Sequence, residues 1–220
     1  MDIEALNDRL AHEHPINDYY AKSPWPIRFI ESRRLAVIRA FMGDVDSLDV
    51  AEVGSGGGHV LRMFPRSRLT AVDVSDVYLE IARENLAGYD VRFVKGEVES
   101  LGLPDSSFDR VICSEVLEHV VDPDAVLGAM SRLVRTSGLA VVTIPNDPLI
   151  LKLKRAFRHP PLRWIVRKGI DWGGDQYHLH RWTPSEFERL LSKYFVVAER
   201  RFAPFALLPV RACFKCERRS

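Results

Sequence analysis

From Leu48 onward, short apolar runs alternate with polar segments in which apolar residues return every three or four positions. The runs are Leu48–Val53, Leu69–Val74, Val91–Val94, Arg110–Cys113 and Leu139–Ile144. Near-continuous Val, Ile and Leu suits strands covered on both faces, not strands with one wet face. Between them, Gly57–Phe64, Asp76–Leu86 and Pro123–Val134 carry helical spacing. Strands alternating with helices predict a parallel sheet, because parallel neighbours need a crossover that returns the chain. Ahead of this rhythm, Ile27–Met42 sets Ile30, Leu35, Val37, Ile38 and Phe41 at helical intervals, and Gly43 stops it. Residues 1–24 are polar, interrupted by His14-Pro15 and Ser23-Pro24, and read as a short helix and a loop.

The rhythm breaks after residue 145. A basic stretch containing proline runs to about Trp182. Thr183-Pro184-Ser185-Glu186 then opens a helix: Thr at the N-cap, Pro at the first helical position, Glu three residues on. Two strand candidates follow, Phe195–Arg201 and Val210–Glu217, separated by an apolar turn flanked by prolines. The expectation is an α/β sandwich of three layers, with a seven-stranded, mostly parallel sheet and an antiparallel C-terminal hairpin. Residues 1–43 form an N-terminal helical lid segment, residues 44–220 the main domain, and 147–182 an insertion within it.

Composition changes this picture little. With 31 basic and 30 acidic residues the net charge is +1, so nothing draws the whole chain to nucleic acid. The local bias differs: Leu149–Gly169 holds Lys152, Lys154, Arg155, Arg158, Arg163, Arg167 and Lys168 with no acidic residue. Apolar residues interleave with these cations, which makes 152–168 a candidate for peripheral contact with an anionic membrane. A solvated helix with one packed face is the plain alternative. Three cysteines make no disulfide framework; Cys113 reads as a core residue, and Cys213 with Cys216 supplies only two of four zinc ligands. The first residues lack a basic segment followed by an apolar core, and no apolar run approaches a bilayer span, so a reducing cytoplasm is expected.

The chemistry concentrates at Glu52-Val53-Gly54-Ser55-Gly56-Gly57-Gly58, between a strand and a helix signal. Glycines let the backbone turn sharply and approach a ligand, and a helix start offers unpaired N–H groups. A purely structural turn is the alternative. No Lys-Ser/Thr pair follows the last glycine, which excludes a P-loop, and the glycine spacing departs from the dinucleotide fingerprint. Glu52 beside the loop would repel a pyrophosphate and suit an ammonium or sulfonium centre. Nineteen residues beyond Gly54, Asp73 ends the second strand, where a carboxylate can accept both hydroxyls of a ribose. The third strand ends in Lys95-Gly96-Glu97-Val98-Glu99, where a carboxylate and a backbone N–H can meet an adenine.

These motifs continue through Pro104-Asp105-Ser106-Ser107-Phe108-Asp109 and Ser114-Glu115-Val116-Leu117-Glu118-His119-Val120. In this order they resemble class I S-adenosylmethionine-dependent methyltransferases, and most of all the small-molecule group that includes the ubiquinone-biosynthesis O-methyltransferases. The resemblance covers residues 48–146 strongly and 175–201 loosely. It implies a Rossmann-like fold and S-adenosylmethionine as cofactor. It implies that Gly54, Ser55 and Gly56 lie against the methionine moiety, that Asp73 holds the ribose and that Glu97 with Val98 meets the adenine; Glu52, Gly58, Val74 and Ser114 complete the cofactor-binding candidates. Glu97 departs from the group, which usually has Asp there.

Methyl transfer needs a base only when the acceptor arrives protonated, and His119, just after the fourth strand, is the candidate. A capping or packing histidine is its alternative. Glu115, Glu118 and His119 would share one face if helical. Similar clusters hold a divalent metal in some methyltransferases of quinones or RNA ends, yet the pattern also resembles metal-free relatives, and no metal is assigned. Tyr19, Tyr20, His178, His180 and Trp182 are the substrate candidates, with Tyr19, Tyr20 and Trp25 suited to a lid. The expected reaction is O- or N-methylation of a small molecule, of quinone-like, lipid-linked or sugar type. An RNA-terminal methyltransferase and a non-catalytic partner that keeps the fold are the alternatives. The sequence does not set the oligomeric state.

Overall fold

The structure, a computed structural model, describes residues 22–157 and 178–219. Tyr19, Tyr20, the expected first helix and the basic residues from Arg158 to Lys168 lie outside the described residues.

The strands are β1 (Asp49–Val53), β2 (Arg68–Asp73), β3 (Val91–Lys95), β4 (Phe108–Ser114), β5 (Val134–Pro145), β6 (Phe195–Phe205) and β7 (Leu208–Arg218). The helices are α1 (Trp25–Met42), α2 (Asp76–Asn85), α3 (Pro123–Leu133), α4 (Asp147–Phe157) and α5 (Pro184–Leu191). One seven-stranded sheet has the order β3-β2-β1-β4-β5-β7-β6. The first five strands pair in parallel, and β7 is antiparallel to both β5 and β6. This is the expected Rossmann-like sheet with its C-terminal hairpin.

The two faces of the sheet explain the uninterrupted apolar runs. Val111, Cys113, Val142 and Phe214 face one cluster with Leu127, Met130 and Phe187 of α3 and α5. Val50, Ile112, Val141 and Cys213 face the other with Ile38, Phe41 and Met42 of α1. Strands β1 to β5 and β7 contribute apolar side chains to both clusters, so a polar face there would be buried at a cost. Local signals set the helix starts: Asp122 caps α3 through the Ala125 N–H, and Thr183 and Glu186 form a reciprocal capping box on α5.

Several boundaries differ from the pattern reading. The helix expected at Gly57–Phe64 is a set of turns with a 3-10 segment at Leu61–Met63, because Gly56 and Gly58 take positive φ. β5 begins at Val134 through an irregular pairing near Phe108, ahead of the apolar run that marks its centre. The hairpin strands extend until Phe205 pairs with Leu208, which shortens the expected turn. Residues 147–157, the start of the basic stretch, form α4, in line with the helix given as the plain alternative there.

Candidate active site

The strand order reverses direction at β1, whose neighbours are β2 on one side and β4 on the other. Loops leaving two such strands diverge and open a crevice at their C-terminal ends. The glycine loop, Asp73, Gly96 and Ser114 all sit at that edge.

The glycine loop is held from several sides. Gly54 and Gly56 have φ of 68° and 50°, conformations that disfavour a side chain, and a Cβ on Gly54 would overlap Val116. The Ser55 N–H donates to the Val72 carbonyl at 2.9 Å, and the Gly56 N–H donates to Asp73 Oδ2 at 2.8 Å. Asp73 Oδ1 accepts from the Ser75 N–H at 3.0 Å. One carboxylate therefore clips the loop after β1 to the tip of β2. The Gly96 N–H donates to the Asp73 carbonyl, which brings the third strand's tip alongside. Tyr78 lies close enough that burial and then the Asp73 charge push its phenol up to about 12.

Glu52 is 2% exposed, and its Oε2 has no hydrogen-bond partner among the described residues; the buried Ser55 Oγ shares that state. Burial raises the Glu52 pKa well above the ordinary carboxyl value, the Asp73 charge adds to this, and the Arg34 charge opposes it. A buried acceptor without a donor is costly, and a cationic ligand beside the loop would satisfy it. The residues present fit an adenosyl sulfonium with an amino-acid tail: Glu52 for the ammonium, the glycine loop for the tail, Asp73 for the ribose. Val74 is half-buried beside Asp73, Glu97 is exposed on the next turn, and Val98 belongs to the core.

Arg34, Glu31 and Arg211 carry no motif signal, yet they build the wall next to this crevice. Glu31 Oε2 accepts from Arg34 Nε at 2.8 Å, and its Oε1 pairs with Arg211 Nη2 at 3.2 Å. Arg211 Nε pairs with Glu115 Oε2 at 2.7 Å, and Glu115 Oε1 accepts from Thr143 Oγ1 at 3.0 Å. Thr143 meets Ser114, which accepts from Arg34 and so closes a ring. Burial alone would raise Glu31; the charges of Arg34 and Arg211 outweigh it and hold that carboxyl below its ordinary range.

The segment after β4 corrects the expected helical face. Glu115 takes φ of 58° and residues 117–119 form a turn, so Glu115, Glu118 and His119 do not share a helix. Glu115 points to Thr143 and Arg211, away from the other two. Glu118, His119 and His178 converge instead, with one ligand atom of each within 4.8 Å of the others. The Leu179 and His180 N–H groups donate to the Glu118 carbonyl, which brings the distant loop to this turn. Asp147, unsignalled in the sequence, holds His178 Nδ1 at 2.7 Å. Glu118 is buried, and burial followed by the Glu115 charge pushes its pKa well up. Three such groups can hold a divalent cation, with Asp147 orienting the His178 ring from behind.

The other substrate candidates divide. His178 faces His119 edge-on, ring centroids 4.8 Å apart. His180 bonds the Val120 carbonyl at 3.0 Å and stacks on Trp182, which in turn packs on Phe187 of the core.

A family model described as a methyltransferase domain matches residues 51–142. Two ubiquinone biosynthesis O-methyltransferases are similar: that of Nitrosomonas europaea is 34% identical and that of Alkalilimnicola ehrlichii 29%, each over 63% of this chain. The chain spans 59% and 62% of those relatives' own lengths. Among solved structures, a SAM-dependent methyltransferase of Thermotoga maritima superposes with a TM-score of 0.71 at 17% identity, over 99% of this chain and 100% of that one. Magnesium protoporphyrin IX methyltransferase of Synechocystis, solved with bound SAH, gives 0.71 at 13% over 98% and 99%. Residues 51–142 therefore match a methyltransferase domain, and the sheet that carries them has the Rossmann-like fold of the S-adenosylmethionine-dependent methyltransferases it superposes on.

Proposed function

We propose that the chain transfers a methyl group from S-adenosylmethionine to a small-molecule acceptor, with a hydroxyl oxygen favoured by the names of its curated relatives. The observation that carries this reading is the buried, unsatisfied Glu52 carboxyl next to Gly54, opposite the Asp73 carboxylate. Bound there, the cofactor supplies a methyl carbon already activated by its sulfonium. The chain's own residues then bind, orient and exclude water. Glu52 and the loop hold the tail, Asp73 the ribose, and Glu97 with Val98 the adenine edge. His119, half-exposed beside the crevice, takes the proton of the acceptor hydroxyl. His178 lines the acceptor side, with Tyr19, Tyr20, His180 and Trp182 as further substrate contacts.

A second reading of one part rests on the convergence of Glu118, His119 and His178. These residues would hold a divalent cation, which would polarise the acceptor oxygen directly. Manganese titrated into the metal-stripped protein separates the two: heat that His178→Asn abolishes supports the cation, and no heat leaves His119 as base.

Calorimetric titration with S-adenosylmethionine, S-adenosylhomocysteine and NAD tests the whole proposal. Binding of both adenosyl ligands without NAD heat is expected, and the reverse rejects it. Asp73→Ala should weaken S-adenosylhomocysteine by about 1.5–3 kcal/mol, the worth of a charged hydrogen bond.

A further inference from the structure

Of the seven large apolar side chains exposed among the described residues, four lie at one end of the fold. Trp25 is 73% exposed, Phe29 44%, Phe205 50% and Leu207 95%. Trp25 and Phe29 lie one turn apart at the start of α1, with exposed Arg28 on the same face. Phe205 and Leu207 flank the turn between β6 and β7. Ile30 of α1, Ile150 of α4 and Leu208 and Val210 of β7 pack together beneath them, so three elements meet at this end. Pro145, the last residue of β5, pairs with Arg211, and the hairpin runs on past that pair to its tip. The apolar tip therefore projects from the sheet edge that carries the cofactor crevice.

Among the described residues, the exposed charge at this end has one sign. Residues 22–33, 147–157 and 203–211 hold two acidic side chains, Glu31 and Asp147, and both are buried. Arg28 on α1 and Lys152 and Arg155 on α4 are exposed. Aromatic and aliphatic tips ringed by cations match the layering of a bilayer surface, where apolar groups enter the acyl boundary and cations meet headgroup phosphates. A second copy of the chain fits poorly, since a twofold contact would set the same cations against each other.

We propose that this end docks on an anionic lipid surface, with Trp25, Phe29, Phe205 and Leu207 inserted and Arg28, Lys152 and Arg155 at the headgroups. Docked so, the crevice opens toward the bilayer. The claim concerns the hairpin and the start of α1, and it stands apart from the methyl-transfer reading.

The test uses the full chain with vesicles of phosphatidylcholine alone or with added phosphatidylglycerol, sedimented at low and high salt. Wild type should bind the anionic vesicles, and salt should weaken binding as the surface attraction is screened. Phe205→Ser with Leu207→Ser should lower the partition coefficient by about tenfold or more, from the apolar area each loses. That variant should keep wild-type S-adenosylhomocysteine affinity, which shows that it folds. Trp25→Phe should remove the blue shift of tryptophan emission that vesicles induce. Absent vesicle binding, or binding unchanged in the double variant, overturns the proposal. So does a wild-type dimer, indifferent to lipid, that the double variant turns into a monomer.

Discussion

Replacing Glu52 by Gln separates two demands on one carboxyl. The side chain is buried, one oxygen lacks a donor among the described residues, and the other reaches the Leu61 backbone, a bond that Gln keeps. Burial and the Asp73 charge hold its pKa well above the ordinary value against the pull of Arg34. A carboxyl raised on folding gives stability that is complete below its unfolded pKa and is lost as pH rises toward the folded one. At alkaline pH the ligand-free wild type therefore bears a cost that Gln does not. The expected gain is about 1.4 kcal/mol for each pH unit by which folding raises the carboxyl pKa, because Gln has no charge to bury. For a chain of this size each kcal/mol raises the Tm by roughly 2–4 °C, and the gain should fade toward about pH 4. Ligand binding should move the other way. Losing one charged hydrogen bond to the ammonium costs about 1.5–3 kcal/mol, on the order of 10–150-fold in affinity. Thermal melts across pH, with and without S-adenosylhomocysteine, read both effects, and calorimetry gives the affinity. If Glu52→Gln melts lower at alkaline pH and binds as wild type, Glu52 is a structural clamp on the Leu61 turn and the ammonium seat is wrong.

Gly54→Ala should cost on the order of 1–3 kcal/mol from its positive φ, and more from overlap with Val116, with a lower Tm and weaker S-adenosylhomocysteine binding together. Glu31→Gln should destabilise by about 3–5 kcal/mol at neutral pH because it takes the Glu31 charge from the buried Arg34 and leaves the half-buried Arg211 with Glu115. Since the Glu31 pKa is depressed on folding, its contribution is present above the unfolded value and lost as pH falls through the folded one, so urea melts of wild type and variant should converge in acid. Cys113, Cys213 and Cys216 are buried and free, with burial pushing the last two up to about 12, so a thiol reagent should label them only after unfolding.

Much of the sheet was legible because its central strands β1, β2, β4 and β5 are buried on both faces and have little room for polar residues. The cofactor side was legible for a related reason: glycines with positive φ and a carboxylate at a strand tip must occupy fixed places along the chain. Strand ends were harder to place. Arg135-Thr136-Ser137 precede the apolar run of β5, yet the pairing at Phe108 carries the strand back to Val134. The Glu118 turn misled because helical spacing presupposes helical dihedrals, and Glu115 at φ 58° breaks that premise. Asp147 was silent because its partner His178 lies 31 residues away in the sequence, and nothing local marks either as a pair.

Glu31 and Arg211 are 180 residues apart, and no periodicity could join them. Their ring nonetheless explains why α1 belongs to the site. Buried ion pairs seldom add net stability over apolar packing, because desolvation offsets the attraction, but removing one member leaves a charge stranded. The ring therefore acts mainly as a registration device: α1 can seat against β4, β5 and β7 only where both arginines find both glutamates. That seating fixes Ser114 at the tip of β4 and gives Glu115, in its strained conformation, two partners that hold it there. It also sets the Arg34 charge near Glu52, where it offsets part of the rise that burial imposes on that carboxyl. A helix with no cofactor motif thus tunes the acid proposed to meet an ammonium.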